Sequence, residues 1–147
     1  MGADATRLLT NDHRAVDRLL AQARTDPSVV EQIRTELEAH ATVEEEIFYP
    51  AVRQAAKEKG REMVEEALHE HNEIREAIDE LAATDEQDED YAQRLQELKE
   101  KIQHHVSEEE GEMFPQAREV LSAEQLAELG SEMAERKEEL KGELVEA

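Results

Sequence analysis

The chain has 147 residues, of which 38% are apolar and 38% are charged, and it contains no cysteine. Disulfides, thiolate metal sites and cysteine nucleophiles are therefore excluded. The 39 acidic residues outnumber the 17 basic ones, giving a net charge of -22 that repels phosphate backbones and anionic lipid surfaces. We therefore predict no nucleic-acid partner and no membrane partner. No apolar run is long enough for a signal peptide or a membrane span, which predicts a cytoplasmic location.

Apolar residues recur at three- and four-residue steps in the first half of the chain, which predicts two helices there. The first covers about residues 5–24, with Asp4 as its cap. The second opens with Asp26 as a cap and Pro27 at its first position. It continues to Gly60, where we expect it to end.

The second half repeats this organisation with a longer connection. A third helix is predicted at about residues 61–83, followed by an acidic linker at 84–90 and a fourth helix that ends near Val120. Ser122-x2-Gln125 is typical of a capping box and opens a fifth helix that ends near Lys141. We expect this fifth helix to pack on the other helices or to act as a lid. These elements predict one all-α domain over residues 1–147, an up-down-up-down four-helix bundle (core about 5–120) with an additional C-terminal helix (about 122–141).

Both halves carry a His-x3-Glu motif followed by a proline six residues after the glutamate, at an offset of 65 residues. Each half has one further histidine, at an offset of 58 residues. Proline removes a helical hydrogen bond, so Pro50 and Pro115 predict matched kinks near one end of the bundle. The repeated polar residues are His13, His40 and Glu44 in the first half and His71, His105 and Glu109 in the second.

These six residues take places in the apolar stripes of their helices. His40 and Glu44, for example, continue the stripe that begins with Ile33 and Leu37. A histidine and a glutamate four residues apart share one helix face and can reach the same metal ion. Because a buried carboxylate is costly unless it is paired or bound to a cation, we predict that all six are metal ligands on the bundle axis. The alternatives are a buried hydrogen-bonded pair for His40 with Glu44 and ordinary core histidines at 13 and 71.

Two histidines lie off these faces. His69 and His104 are predicted to be on the surface or to support the ligands from outside. His104 with Glu108 is also a His-x3-Glu pair, so a one-residue shift in the fourth helix is the alternative ligand assignment. His104, Glu45 or Glu110 could instead orient the ligands, because metal-bound imidazoles donate their second nitrogen to an acceptor.

Imidazole and carboxylate ligands suit iron, manganese or zinc, and glutamates projecting from bundle helices are typical of di-iron sites. The chain contains the motifs Asp12-His13, His40-x3-Glu44 with Phe48-Tyr49-Pro50, Glu70-His71, and His105-x3-Glu109 with Phe114-Pro115. In these motifs it resembles the hemerythrin-like, or HHE cation-binding, domain family over about residues 5–141. The resemblance implies two iron ions, oxo- or hydroxo-bridged, with Glu44 and Glu109 bridging and the histidines terminal; manganese or zinc is less expected.

The chain departs from the oxygen carriers of that family. They have a second histidine on the third helix, where this chain has Arg75, and a His-x4-Asp pair on the fourth, where it has His-x3-Glu. Fewer protein ligands leave more coordination positions open, which favours reaction with hydrogen peroxide, nitric oxide or dioxygen over reversible carriage. We therefore predict a peroxidase- or catalase-like di-iron oxidoreductase that uses a small-molecule oxidant and an unidentified reductant, as a monomer or weak dimer. The alternatives are reversible dioxygen binding or oxygen or iron sensing without turnover, iron storage, and a metal-free acidic helical scaffold.

Tyr49 breaks the symmetry of the two halves, because the matching residue is Phe114. Regular helix geometry places Tyr49 off the His40 face, but a kink at Pro50 would turn it inward. Tyr49 is therefore the candidate catalytic residue, either as an iron ligand or in a redox or hydrogen-bonding role. A tyrosine that only packs at the end of the bundle is the alternative.

Overall fold

The computed structural model describes the backbone of residues 3–146 and the side chains of residues 3–143. This part of the chain is helical and carries no strand, which confirms the predicted all-α bundle with a C-terminal helix. Across residues 3–146, no helix combines the length and apolarity needed to span a bilayer. The helices are α1 (Ala5–Ala23), α2 (Val30–Val43), α3 (Tyr49–Ala82), α4 (Tyr91–Glu108), α5 (Phe114–Val120) and α6 (Ala123–Glu146).

Four bundle helices arise from α1 to α5. The turn Pro27–Val29 is a 3-10 helix that leads into α2. The second bundle helix consists of α2 and the beginning of α3, and the third is the rest of α3. The fourth consists of α4 and α5, and α6 packs on the outside against α1 and α2.

The predicted helix caps are present. Asp4 accepts a hydrogen bond from the backbone N–H of Arg7 at 3.0 Å, and Asp26 caps the 3-10 turn. Ser122 and Gln125 form a reciprocal capping box. The Ser122 N–H donates to Gln125 Oε1 at 2.8 Å, and the Gln125 N–H donates to Ser122 Oγ at 3.1 Å. These caps satisfy backbone donors that the helices leave free.

The break between the second and third bundle helices lies three residues earlier than predicted. Lys57, not Gly60, interrupts the helix, with φ 58° and ψ -128°, and this conformation is strained for a residue with a side chain. Gly60 is helical and buried. A Cβ atom there would lie 2.7 Å from the carbonyl oxygen of Val52, so Gly60 is needed for close backbone approach after the turn rather than to end a helix.

Pro50 and Pro115 each follow a π-helical turn, at the point where one helical segment ends and the next begins. The turns Glu44–Phe48 and Glu109–Met113 immediately precede the helices in which Pro50 and Pro115 take the second position. A π turn inserts an extra residue per turn and rotates the following side chains around the helix axis. For this reason Tyr49, which regular geometry would place off the His40 face, is buried.

The apolar core has two parts with the repeated polar residues between them. One part contains Phe48, Tyr49 and Phe114 at the end where the π turns lie. The other contains Leu20, Ile33, Leu81 and Leu98 towards the opposite end. Apolar packing on both sides holds the polar residues of the middle layer in fixed positions.

Candidate metal centre

All six predicted ligands are buried and converge on the bundle axis. Their potential ligand atoms form two groups, and within each group the atoms lie within 4.8 Å of one another. Glu44 and Glu109 belong to both groups. This arrangement suits two cations side by side that share the two carboxylates. The groups are His13, His40, Glu44 and Glu109, and Glu44, His71, His105 and Glu109.

The inner atoms approach each other closely. His13 Nε2 lies 3.1 Å from Glu109 Oε1, and His71 Nε2 lies 3.0 Å from Glu44 Oε1. The Nε2 atoms of His71 and His105 are only 3.2 Å apart. Two imidazole nitrogens that face each other at this distance are stabilised when a proton or a metal ion lies between them and the carboxylates.

Two buried polar atoms of the centre have no hydrogen-bond partner within residues 3–143, namely His40 Nε2 and Glu44 Oε2. His40 Nε2 is 3.2 Å from Glu44 Oε1, but the geometry is not that of a hydrogen bond. Buried nitrogen and carboxylate atoms are normally satisfied. Because imidazole nitrogen and carboxylate oxygen are metal ligands, a bound cation would satisfy both atoms, and the residues therefore fit a metal centre.

Each histidine of the centre also contacts a carboxylate outside it through Nδ1. An ionised carboxylate only accepts, so Nδ1 donates and the Nε2 atom is directed at the centre. The arrangement is repeated in the two halves of the chain. The pairs are His13–Glu110 at 2.8 Å, His40–Asp12 at 2.9 Å, His71–Glu45 at 2.7 Å and His105–Glu70 at 2.7 Å.

Two of these outer carboxylates agree with the predicted orienting role, and two were missed. Glu45 and Glu110 each directly follow a glutamate of the centre. Asp12 and Glu70 received no role from the sequence, although each directly precedes a histidine of the centre and the two recur at the same offset of 58 residues. That shared offset was the sequence feature from which the orienting role of Asp12 and Glu70 could have been predicted.

Charge around the centre is strongly negative. The two inner and four outer carboxylates face two nearby cations, Lys137, which contacts Asp12, and Arg75, which lies 2.9 Å from Glu45. Four negative charges remain. Two divalent metal ions would balance them.

Tyr49 reaches into the centre. Its hydroxyl lies 2.5 Å from Glu109 Oε2, 3.2 Å from Glu44 Oε1 and 3.1 Å from His71 Nε2. Burial raises the pKa of Tyr49 well above its usual value, and the negative charges of Glu109 and Glu44 raise it further. The metal-free chain therefore holds a neutral phenol that donates to a shared carboxylate.

His104 and His69 lie outside the centre. The side chain of His104 is 66% exposed and lies 3.3 Å from Glu70 and 3.2 Å from Glu108. His69 is exposed beside Glu73. His105 and Glu109, rather than His104 and Glu108, therefore lie at the bundle axis.

The carboxylates reverse the usual effect of burial on the histidines. Burial alone would lower the pKa of His40, but the charge of Glu44 and the hydrogen bond to Asp12 raise it to about 10. In the same way, contacts with carboxylates outweigh burial and raise the pKa values of His71 and His105. Burial would raise the pKa of Glu44, yet the charge of His40 holds it well below its usual range.

Metal binding should therefore release protons and strengthen as the pH rises. The histidines are protonated in the metal-free chain below their raised pKa values, so proton competition persists through neutral pH and is lost only above them. We expect Zn²⁺ binding at pH 7 to release at least about one proton, that of His40, whose pKa is raised to about 10. Titration calorimetry in two buffers of different ionisation enthalpy measures this number. Affinity that is constant between pH 6 and pH 8 would contradict the expectation.

The fold and this site define a helical-bundle protein with a histidine–glutamate cluster able to bind metal. The family model of the hemerythrin HHE cation binding domain matches residues 4–117. The chain therefore belongs to the hemerythrin HHE cation-binding domain family. All six residues of the centre lie within the matched range, whereas α6 with Lys137 lies beyond it.

Known proteins resemble the chain in structure and in sequence. A solved hemerythrin HHE cation binding domain-containing protein from Mycobacterium kansasii superposes with a TM-score of 0.84, at 26% identity, covering 96% of this chain and 89% of that one. An uncharacterized hemerythrin-like protein from Schizosaccharomyces pombe is 31% identical over 96 residues, which is 65% of this chain and 47% of that protein. A Nostoc protein named DNA nickase is 29% identical over 139 residues, 90% of this chain and 39% of that protein. The chain thus spans less than half the length of these two curated relatives.

Proposed function

We infer that the chain is a non-haem di-iron protein that consumes a small oxidant. Hydrogen peroxide is the first candidate, and nitric oxide and dioxygen are the others. In this proposal both ions would share Glu44 and Glu109, one would be held by His13 and His40, and the other by His71 and His105. The reductant, the cytoplasmic location and the monomeric or weakly dimeric state stay predictions.

The observation that carries this proposal is that the two ligand groups share Glu44 and Glu109. Each group supplies only two histidines besides the shared carboxylates, so coordination positions are left for an oxidant. A bound iron pair supplies the electrons that reduce such an oxidant. The shortage of protein ligands therefore favours turnover over protected, reversible binding.

The residues of the chain have distinct tasks in this proposal. The outer carboxylates hold the Nδ1 protons and so keep all four imidazoles in one orientation. Tyr49 holds a proton on its hydroxyl oxygen at the edge of the centre, where the hydroxyl donates to Glu109 Oε2 at 2.5 Å. The apolar core around Phe48 and Tyr49 limits the water that reaches the centre from that end.

The test is to load the purified protein with Fe²⁺ without oxygen and to measure iron per chain, the visible spectrum and peroxide consumption. We expect close to two irons, oxo-bridged absorption after oxidation, and loss of peroxide. An oxygen electrode separates the two activities, because disproportionation releases one dioxygen for every two peroxides and needs no reductant. Peroxidase activity releases none and requires an added reductant.

Other outcomes would favour the alternatives. A spectrum that reverses when dioxygen is removed, without turnover, would favour dioxygen binding or sensing. If the protein is folded but takes up no iron, the remaining hypothesis is a metal-free helical scaffold. His40→Ala is expected to abolish both iron binding and peroxide loss, because His40 supplies one of the two histidines of its group.

Tyr49→Phe is expected to keep two irons per chain but to slow peroxide turnover by about 10²-fold, the lower range for losing a positioned proton donor. The matched control is Tyr91→Phe, because Tyr91 is the other tyrosine of the chain and donates to the Ala23 carbonyl at 3.1 Å, away from the centre. Steady-state peroxide assays and visible spectra of both variants test this. Unchanged turnover and an unchanged spectrum in Tyr49→Phe would leave only a packing role.

DNA cleavage is the activity named for the Nostoc relative, and we do not favour it for this chain. The net charge of -22 on this chain opposes its approach to a phosphate backbone. Incubation of the iron-loaded protein with supercoiled plasmid is expected to produce no nicked, open-circular plasmid. Nicking that His40→Ala abolishes would overturn the prediction of no nucleic-acid partner.

A further inference from the structure

A cavity of about 440 Å³ adjoins the metal centre on the side opposite Tyr49. All four bundle helices line it, and the imidazoles of His13, His40, His71 and His105 form its floor. Hydrogen peroxide or nitric oxide needs little more space than a water molecule, about 30 Å³ in the liquid. The cavity is thus far larger than the proposed oxidants require, and it has the size of sites for organic ligands.

The walls above the histidines are apolar. They are formed by Val16 of α1, Leu37 of α2, Ile74 and Ile78 of α3, and Ile102 and Val106 of α4. Val16, Ile74 and Ile102 retain 4%, 7% and 6% exposure, although they point inward. At the other end of the centre Phe48 and Tyr49 are 0% and 1% exposed. The cavity therefore offers a route to the four histidines of the centre.

The mouth lies between α2 and α3 and is rimmed by ion pairs. Arg34 contacts Asp79 at 2.8 Å, and Arg75 contacts Glu38 at 3.1 Å as well as Glu45. Both guanidinium groups are thus engaged by carboxylates, and the net charge of -22 disfavours an anion. Each rim carboxylate contacts one of these guanidinium groups, and the walls between the rim and the histidines are apolar, so an organic cation inside the cavity would have no free carboxylate within the apolar walls.

We propose that this cavity binds a neutral organic molecule with a compact apolar body of about ten carbon atoms and one polar end group. The body lies against the isoleucine walls, and the polar end group faces the imidazoles. Burial of the apolar body supplies the affinity. The inference concerns binding and requires no iron chemistry, so it stands or falls separately from the proposed oxidant consumption.

The probe is 2-phenyl-2-propanol, which is neutral, carries one hydroxyl group and has a compact apolar body. The chain offers an internal control, because three of its five isoleucines line the cavity and two, Ile33 and Ile47, do not. Methyl NMR of the metal-free protein, which has no open metal position for an anion to occupy, is expected to show saturable shifts for Ile74, Ile78 and Ile102 only. Benzoate, of similar size but anionic, should bind at least about tenfold more weakly.

A variant pair tests the location. Leu37→Trp places a larger side chain in the cavity and is expected to weaken binding of the alcohol at least about tenfold. Leu129→Trp enlarges another partly buried leucine, on α6 and outside the cavity, and should leave binding unchanged. If Leu37→Trp does not fold, the titration of the unaltered protein still decides the question.

Three results would overturn the proposal. They are the lack of saturable shifts up to millimolar alcohol, equal shifts of all five isoleucines, and benzoate binding as strong as that of the alcohol. Alcohol binding without peroxide consumption by the iron-loaded protein would reject only the proposed function. Peroxide consumption without alcohol binding would reject only the proposed cavity ligand.

Discussion

Glu44→Gln is expected to reduce bound iron from two ions to no more than one per chain. Glu44 is part of both ligand groups, so in the proposed di-iron centre its loss would remove a ligand from each ion at once. Glutamine has the same shape, but its neutral amide removes a negative charge that balances the cations. Metal analysis after anaerobic Fe²⁺ loading and gel filtration measures the effect, and far-UV circular dichroism verifies the helical fold.

The matched control is Glu46→Gln in the same π turn. Glu46 is exposed and pairs with Arg136 at 2.8 Å on the protein surface. This variant should retain two irons per chain, because it removes the same charge two residues away without touching the centre. Two irons in Glu44→Gln would refute the bridging role of Glu44.

Phe48→Ala is expected to lower the free energy of unfolding of the metal-free protein by about 3–5 kcal/mol, the usual cost of removing a fully buried phenylalanine. Phe48 has 0% exposure, and its ring meets that of Phe114 edge to face with centroids 5.7 Å apart. Phe114 in turn stacks on His13 with centroids 6.0 Å apart. Loss of Phe48 thus leaves a cavity next to a residue that supports the centre.

Urea unfolding in the presence of a chelator measures this change. Phe48→Leu is the control, because leucine keeps most of the buried apolar volume and should cost less than half as much. A loss below about 1 kcal/mol in Phe48→Ala would show that the end of the bundle rearranges to fill the space.

Helical periodicity was sufficient to predict which side chains face the axis. The stripe of Tyr91, Leu95, Leu98, Ile102 and His105 is buried as expected, and His104, one position away, is exposed. Whether a residue faces inward depends on its position relative to neighbours three and four residues away, and this is visible in the sequence. The repeat at 65 residues then fixed the choice of His105 and Glu109.

The sequence was less informative where backbone geometry is irregular. It predicted a kink in the helix at Pro50 and another at Pro115, but not the π turns that precede these prolines. It placed the helix end at Gly60 rather than Lys57, because glycine both ends helices and permits close backbone approach. The second role depends on Val52, which contacts Gly60 only after the chain has reversed.

The sequence by itself determined the helices, their inward faces and the six residues that meet at the axis, because these follow from local periodicity and an internal repeat. Only the tertiary structure decided the partners of the four histidines, the contact of Tyr49 with Glu109 and the cavity above the centre. His13 and Glu110, for instance, are 97 residues apart and meet only because of the relative height and rotation of their helices. Packing across the whole bundle sets that height and rotation, and no local pattern encodes it.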